Sequence, residues 1–151
     1  MRPASPSKVL RRYRTIAVMG ASRSPEKEAH SVPRYLQERG YRIIPVNPSA
    51  KEISGEVAYP SLKEIPDKVA KTIEILEVFR PSDELPDVAR GAVELKKRSG
   101  RPLVFWAQLG LQSDEAEEIL DEAKIPYVMD ACMRTVHLGL GRERTSAARR
   151  A

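Results

Sequence analysis

The chain has one cysteine, two histidines and no apolar run that approaches the length of a bilayer crossing. A lone cysteine, Cys132, closes no internal disulfide, so the fold has to be held by its core. Together with the scattered His30 and His137 it does not make ligand spacing, and no metal site is expected. No segment follows the pattern of a signal peptide, so a cytoplasmic location is expected, with no membrane partner. No nucleophile elbow is present and no general acid and base can be paired, which sets the expectation that the chain is not an enzyme. Internal repeats and low-complexity tracts are also missing.

What is present suits one ordinary domain. A chain of 151 residues, 41% of them hydrophobic, can bury about 68–70% of the surface that its unfolded form exposes. The net charge of +5 raises the question of nucleic acid, and its distribution answers it. Residues 1–14 carry five basic and no acidic groups, residues 142–151 carry four arginines against Glu143, and the body between them is net −3. A basic excess confined to the two ends, with no aromatic stacking motif, reads as solvated ends, and no nucleic-acid partner is expected. The organisation expected is a basic N-terminal appendage (1–13), a domain over 14–141 and a basic C-terminal tail (142–151).

Along the body, strands and helices alternate. Ser5-Pro6 suits the start of a short first helix through about Tyr13. TIAVM (15–19) reads as a strand, followed by a polar turn, a helix over 31–39 and a second strand over 41–46. After an irregular stretch with an extended piece at 56–59, KTIEILEVF (71–79) reads as the next strand and 83–98 as an amphipathic helix. LVFWA (103–107) is apolar throughout, as in a strand covered on both faces, and Ser113 caps a helix with Asp114 and Glu115 in its first turn. Residues 127–129 make the last strand. The order predicts an α/β fold: a Rossmann-like parallel sheet with right-handed crossovers and helices on both faces.

In such a sheet, ligands sit outside the carboxyl ends of the strands near the topological switch point. Four of those ends carry unusual residues. Gly20 lets the backbone turn tightly beside a phosphate, Ser22 offers a hydroxyl and Arg23 a charged fork, with Ala21 between; equally, Gly20 can simply end a strand and Arg23 be solvated. The second strand ends in Val46, Asn47 and Pro48, an apolar edge suited to an adenine and a turn starter in its own right. Phe79, Arg80 and Pro81 follow the next strand, where Arg80 either faces the site or pairs with a carboxylate. Gln108 follows LVFWA. The turn at Gly20 lacks the full Gly-x-Gly-x-x-Gly fingerprint, and Asn47 stands where an NAD site has a carboxylate for the ribose. A different adenine nucleotide is therefore expected.

The segments GASRSPEK, HSVPRYLQERGYRIIPVNP, GEVAYPSLKEIP, VFRP, WAQLG and MDACM, in that order, resemble the stand-alone bacterial CoA-binding domain proteins. These are similar to the CoA-binding domain of the succinyl-CoA synthetase alpha subunit, and the resemblance covers about residues 15–138. It implies a Rossmann-like CoA-binding fold with Gly20, Ala21, Ser22 and Arg23 at the pyrophosphate. By the same likeness Val46, Asn47 and Pro48 border the adenosine, Phe79, Arg80 and Pro81 line the pantetheine path, and Gln108 lies near its far side. The synthetase's phosphohistidine domain has no counterpart here, and neither His30 nor His137 replaces it, so ligase activity is not carried over. The sequence departs from the family in having Thr135, Val136 and His137 where an acidic residue commonly follows the D-x-C segment.

The expectation is thus a non-catalytic module that binds CoA or an acyl-CoA and presents it to a protein partner the sequence does not identify. The alternative is a small NAD(P)-binding oxidoreductase or redox-sensing domain, with Arg23 on a 2′-phosphate. Cys132 reads as a small, partly buried residue near a strand end, the other reading being a thiol that forms a mixed disulfide with CoA.

Overall fold

The computed structural model describes residues 3–150, with the side chains of residues 142–150 excepted. Five short apolar segments, β1 (Thr15–Met19), β2 (Arg42–Val46), β5 (Ile75–Val78), β6 (Val104–Ala107) and β7 (Tyr127–Val128), form one parallel sheet in the order β2-β1-β5-β6-β7. The chain leaves β1 to one side for β2 and then returns to the other side for β5, so the switch point lies between β1 and β5. The α/β fold predicted from the alternation of elements is the one observed.

Both faces are covered, which is why β5 and β6 are buried along their whole length. Ala17, Ile44, Leu76, Val78, Phe105 and Tyr127 face a core completed by α3 (Asp67–Ala70), α4 (Leu85–Ser99) and α5 (Asp114–Glu122). Ile16, Val18, Ile43, Ile75, Trp106 and Val128 face the other core, under α1 (Pro6–Arg12), α2 (Glu28–Gln37) and α6 (Met133–Arg150). Trp106 and Phe105 are both fully buried, and the Trp106 indole N–H donates to the Ala131 carbonyl at 2.8 Å. Ser113 caps α5 as expected, its hydroxyl accepting the Ala116 amide at 3.1 Å.

Four local readings change. The first helix does not stand apart as an appendage: Leu10 is fully buried, and its carbonyl accepts both the Tyr41 hydroxyl and the Arg14 guanidinium. The second helix begins at Glu28, three residues before the expected start, and contains Pro33. The missing Pro33 amide frees the Ala29 carbonyl, which accepts the Ser22 amide at 3.2 Å. The extended piece is a hairpin of β3 (Glu52–Ile53) and β4 (Glu56–Val57), whose two-residue turn has positive φ at Ser54 and Gly55. Finally, the last helix runs through Arg150 across the segment read as a basic tail; the side chains that made that reading lie outside those described.

Candidate functional site at the carboxyl ends of the strands

The four predicted strand ends lie side by side in the order that the sheet imposes. Gly20 ends β1 with φ +86, a conformation that side-chain-bearing residues rarely adopt, and a Cβ there would stand 2.5 Å from the Phe79 carbonyl oxygen. The turn therefore needs glycine for two independent reasons. The Gly20 amide donates to the Val46 carbonyl at 3.1 Å, and the Phe79 amide to the Met19 carbonyl at 2.9 Å, so the turn is stitched to both neighbouring strands.

Asn47 closes the same corner. Its Nδ2 donates to the Ala21 carbonyl at 2.8 Å, while its Oδ1 accepts the Ser49 and Ala50 amides at 2.7 and 3.0 Å. Ala21 and Val46 are buried beside it, and Pro48 is exposed on the rim. Ser22 is used locally, its hydroxyl accepting the Ser24 amide at 3.1 Å. Arg23 is exposed, and among the described residues no acceptor engages its guanidinium.

Arg80 pairs with a carboxylate. Its stem crosses the glycine turn, with Cδ 3.1 Å from where a Gly20 Cβ would be, while its guanidinium forks onto Glu84 with Nη2 2.8 Å from Oε2. That pair is half-exposed and contributes at most about 1 kcal/mol. Phe79 is half-buried beneath the stem and Pro81 exposed beyond it. Gln108 is 2% exposed; its Oε1 accepts the Met133 amide at 3.4 Å, and its backbone amide donates to Val78, which ties β6 to β5.

Comparison with known proteins identifies the group to which this arrangement belongs. The sequence profile described as the CoA binding domain matches residues 14–137, which takes in all five strands of the sheet. The chain belongs to the CoA-binding domain family. It is 42% identical over 129 residues to the uncharacterized protein YneT of Bacillus subtilis, covering 85% of this chain and 89% of that one. A solved structure from Thermus thermophilus, cell-free ID.343, superposes with TM-score 0.77 at 39% identity, covering 91% of this chain and 99% of the other. A weaker likeness, 46% over 57 residues, is to the alpha subunit of an ADP-forming acetate–CoA ligase of Pyrococcus furiosus, of which the match covers 12% against 37% of this chain.

Within this CoA-binding domain the sequence reading missed two polar groups. Glu77 is fully buried in the middle of β5, in register between Val18 and Trp106, and neither carboxyl oxygen has a hydrogen-bond partner. Burial, and then the neighbouring Cys132, push its pKa from the ordinary 4.5 to about 8, so it carries a proton at neutral pH. The only signal was one carboxylate inside the apolar run ILEVF. Asp130, with φ +55, is the other: its Oδ1 accepts the Gly110 amide at 2.6 Å and joins the ends of β6 and β7.

A cavity of about 770 Å³ lies elsewhere, between α4 and the turn at Leu62, and includes Arg90, Glu94 and Arg98. Among the described residues no group of three potential ligands can hold a metal ion, and no helix is long and apolar enough to cross a membrane.

Proposed function

We propose that this chain is a CoA-binding module that holds coenzyme A or an acyl-CoA across the carboxyl ends of β2, β1, β5 and β6. The Gly20–Arg23 turn and the start of α2 take the phosphates, and Val46, Asn47 and Pro48 border the adenosine. Phe79, Arg80 and Pro81 guide the pantetheine toward Gln108. The observation that carries this reading is the state of Asn47: all its side-chain capacity toward the turn is spent on backbone groups, so the end of β2 is neutral and fixed. A ribose hydroxyl seeking a carboxylate finds none there, whereas a phosphorylated ribose meets no negative charge. Family membership supplies the ligand class that this geometry suits.

The module is proposed to bind and present its ligand with no acid–base chemistry on it. The fully buried Glu77 and the backbone-engaged Asn47 supply no exposed acid and base on the predicted path. Native mass spectrometry of freshly purified protein tests the reading: a co-purified adduct with the mass of CoA or an acyl-CoA is expected. A nicotinamide dinucleotide in its place would contradict it.

A further inference from the structure

Three polar groups meet where β5, β6 and β7 open onto α6, beyond the part of the cradle that receives the nucleotide. Glu77 is fully buried with both carboxyl oxygens unpartnered, and Gln108 is nearly so, its Oε1 accepting the Met133 amide. Leaving the Glu77 carboxyl unmatched costs free energy, whereas Gln108 is tied to the start of α6. Both are electrostatically coupled to one sulfur, that of Cys132.

Cys132 is half-buried and immediately precedes α6, with its own carbonyl accepting the Val136 amide at 3.0 Å. Burial by itself raises the thiol. The Thr135 amide and hydroxyl, the Gln108 side chain and the Arg134 amide outweigh that effect and hold the thiol below its ordinary value. The activating groups thus come from the backbone of the following turn and from a strand end 24 residues earlier.

The position matters as much as the chemistry. Cys132 sits at the end of β6, between the Ala131 amide on the Ala107 carbonyl and the Met133 amide on Gln108, so from the glycine turn on β1 it is two strand spacings away, about 10 Å, along the line β1, β5, β6. A pantetheine arm laid from the turn over Phe79 toward Gln108 would be long enough to bring its thiol to this corner.

We infer that Cys132 exchanges disulfides with the thiol end of the bound cofactor, so that the protein accepts CoA from a CoA-bearing disulfide as a covalent adduct. This rests on the reading of the strand ends as a CoA site. The Cys132 thiolate attacks one sulfur of CoA disulfide, a protein–CoA disulfide forms as the ligand's own sulfur–sulfur bond breaks, and the electron pair leaves on the second CoA. That thiolate takes up the proton that Cys132 released, and one disulfide has replaced another with no further oxidant.

The test treats the reduced protein with CoA disulfide and, in parallel, with pantethine, which has the same disulfide and arms without the nucleotides, and follows the intact mass. One adduct is expected, absent from Cys132→Ser and Cys132→Ala, reversed by dithiothreitol, and formed at least tenfold faster from CoA disulfide. Calorimetry of Cys132→Ser with CoA separates the two claims. If CoA still binds but the wild-type protein forms no adduct, or forms it equally fast from pantethine, the exchange proposal is overturned and the CoA reading stands. If CoA gives no heat with either protein, and no preference for CoA disulfide is seen, both fall.

Discussion

Asn47 Nδ2 donates to the Ala21 carbonyl oxygen at 2.8 Å and so clamps the end of β2 to the glycine turn that follows β1. The two segments are 26 residues apart, and the clamp sets the floor on which an adenosine would lie. Asn47→Ala removes this bond and both turn contacts and should cost about 1–3 kcal/mol in urea unfolding, with CoA affinity falling in parallel. Asn47→Asp keeps the contacts to Ser49 and Ala50 but sets a carboxylate against the Ala21 carbonyl, and should weaken CoA more than it weakens the fold.

Gly20→Ala combines a left-handed backbone with a Cβ forced against the Phe79 carbonyl. Strain and overpacking together should lower stability by about 2–4 kcal/mol, read as a fall in the urea midpoint at unchanged slope. An unfolding curve like that of the parent protein would mean that the turn relaxes freely.

Arg23 has the opposite profile, being exposed and without an acceptor among the described residues. Arg23→Ala should leave stability within about 0.5 kcal/mol while weakening CoA several-fold and pantetheine hardly at all. The lost affinity should shrink as salt is raised.

Glu77 makes stability depend on pH. Its carboxyl titrates near 4.5 when unfolded and near 8 when folded, so between those values the folded state keeps a proton that the unfolded state has released. Raising pH through this window therefore favours unfolding, by about 1.4 kcal/mol per unit, and the slope vanishes above the folded value. Glu77→Gln keeps the volume and should flatten the profile; an equally steep profile in the variant would assign the dependence to other groups.

The sheet was legible because its strands are short apolar runs at regular spacing, and 103–107 shows no alternation because both its faces are covered. The start of α2 was not, since Glu28 follows Lys27, which offers no capping side chain, and the Ala29 carbonyl freed by Pro33 is satisfied by an outside donor, the Ser22 amide. The last helix was not read because Gly139 and Gly141 hid an apolar stripe of Met133, Val136 and Leu140. The strand-end residues could be named from topology alone, yet which of them are spent on the protein itself could not. Arg80 on Glu84 and Ser22 on Ser24 are decided by side-chain reach and not by spacing. Glu77 and Cys132 come together only through the register of β5 and the start of α6, elements separated in the chain by two further strands.

The central claim is that these strand ends hold the adenosine and phosphates of CoA. Calorimetric titration of the purified protein with CoA, dephospho-CoA and NADPH tests it most directly. The account predicts saturable heat with CoA at sub-millimolar concentration, weaker binding of dephospho-CoA and none of NADPH; tight NADPH binding with no response to CoA would contradict it.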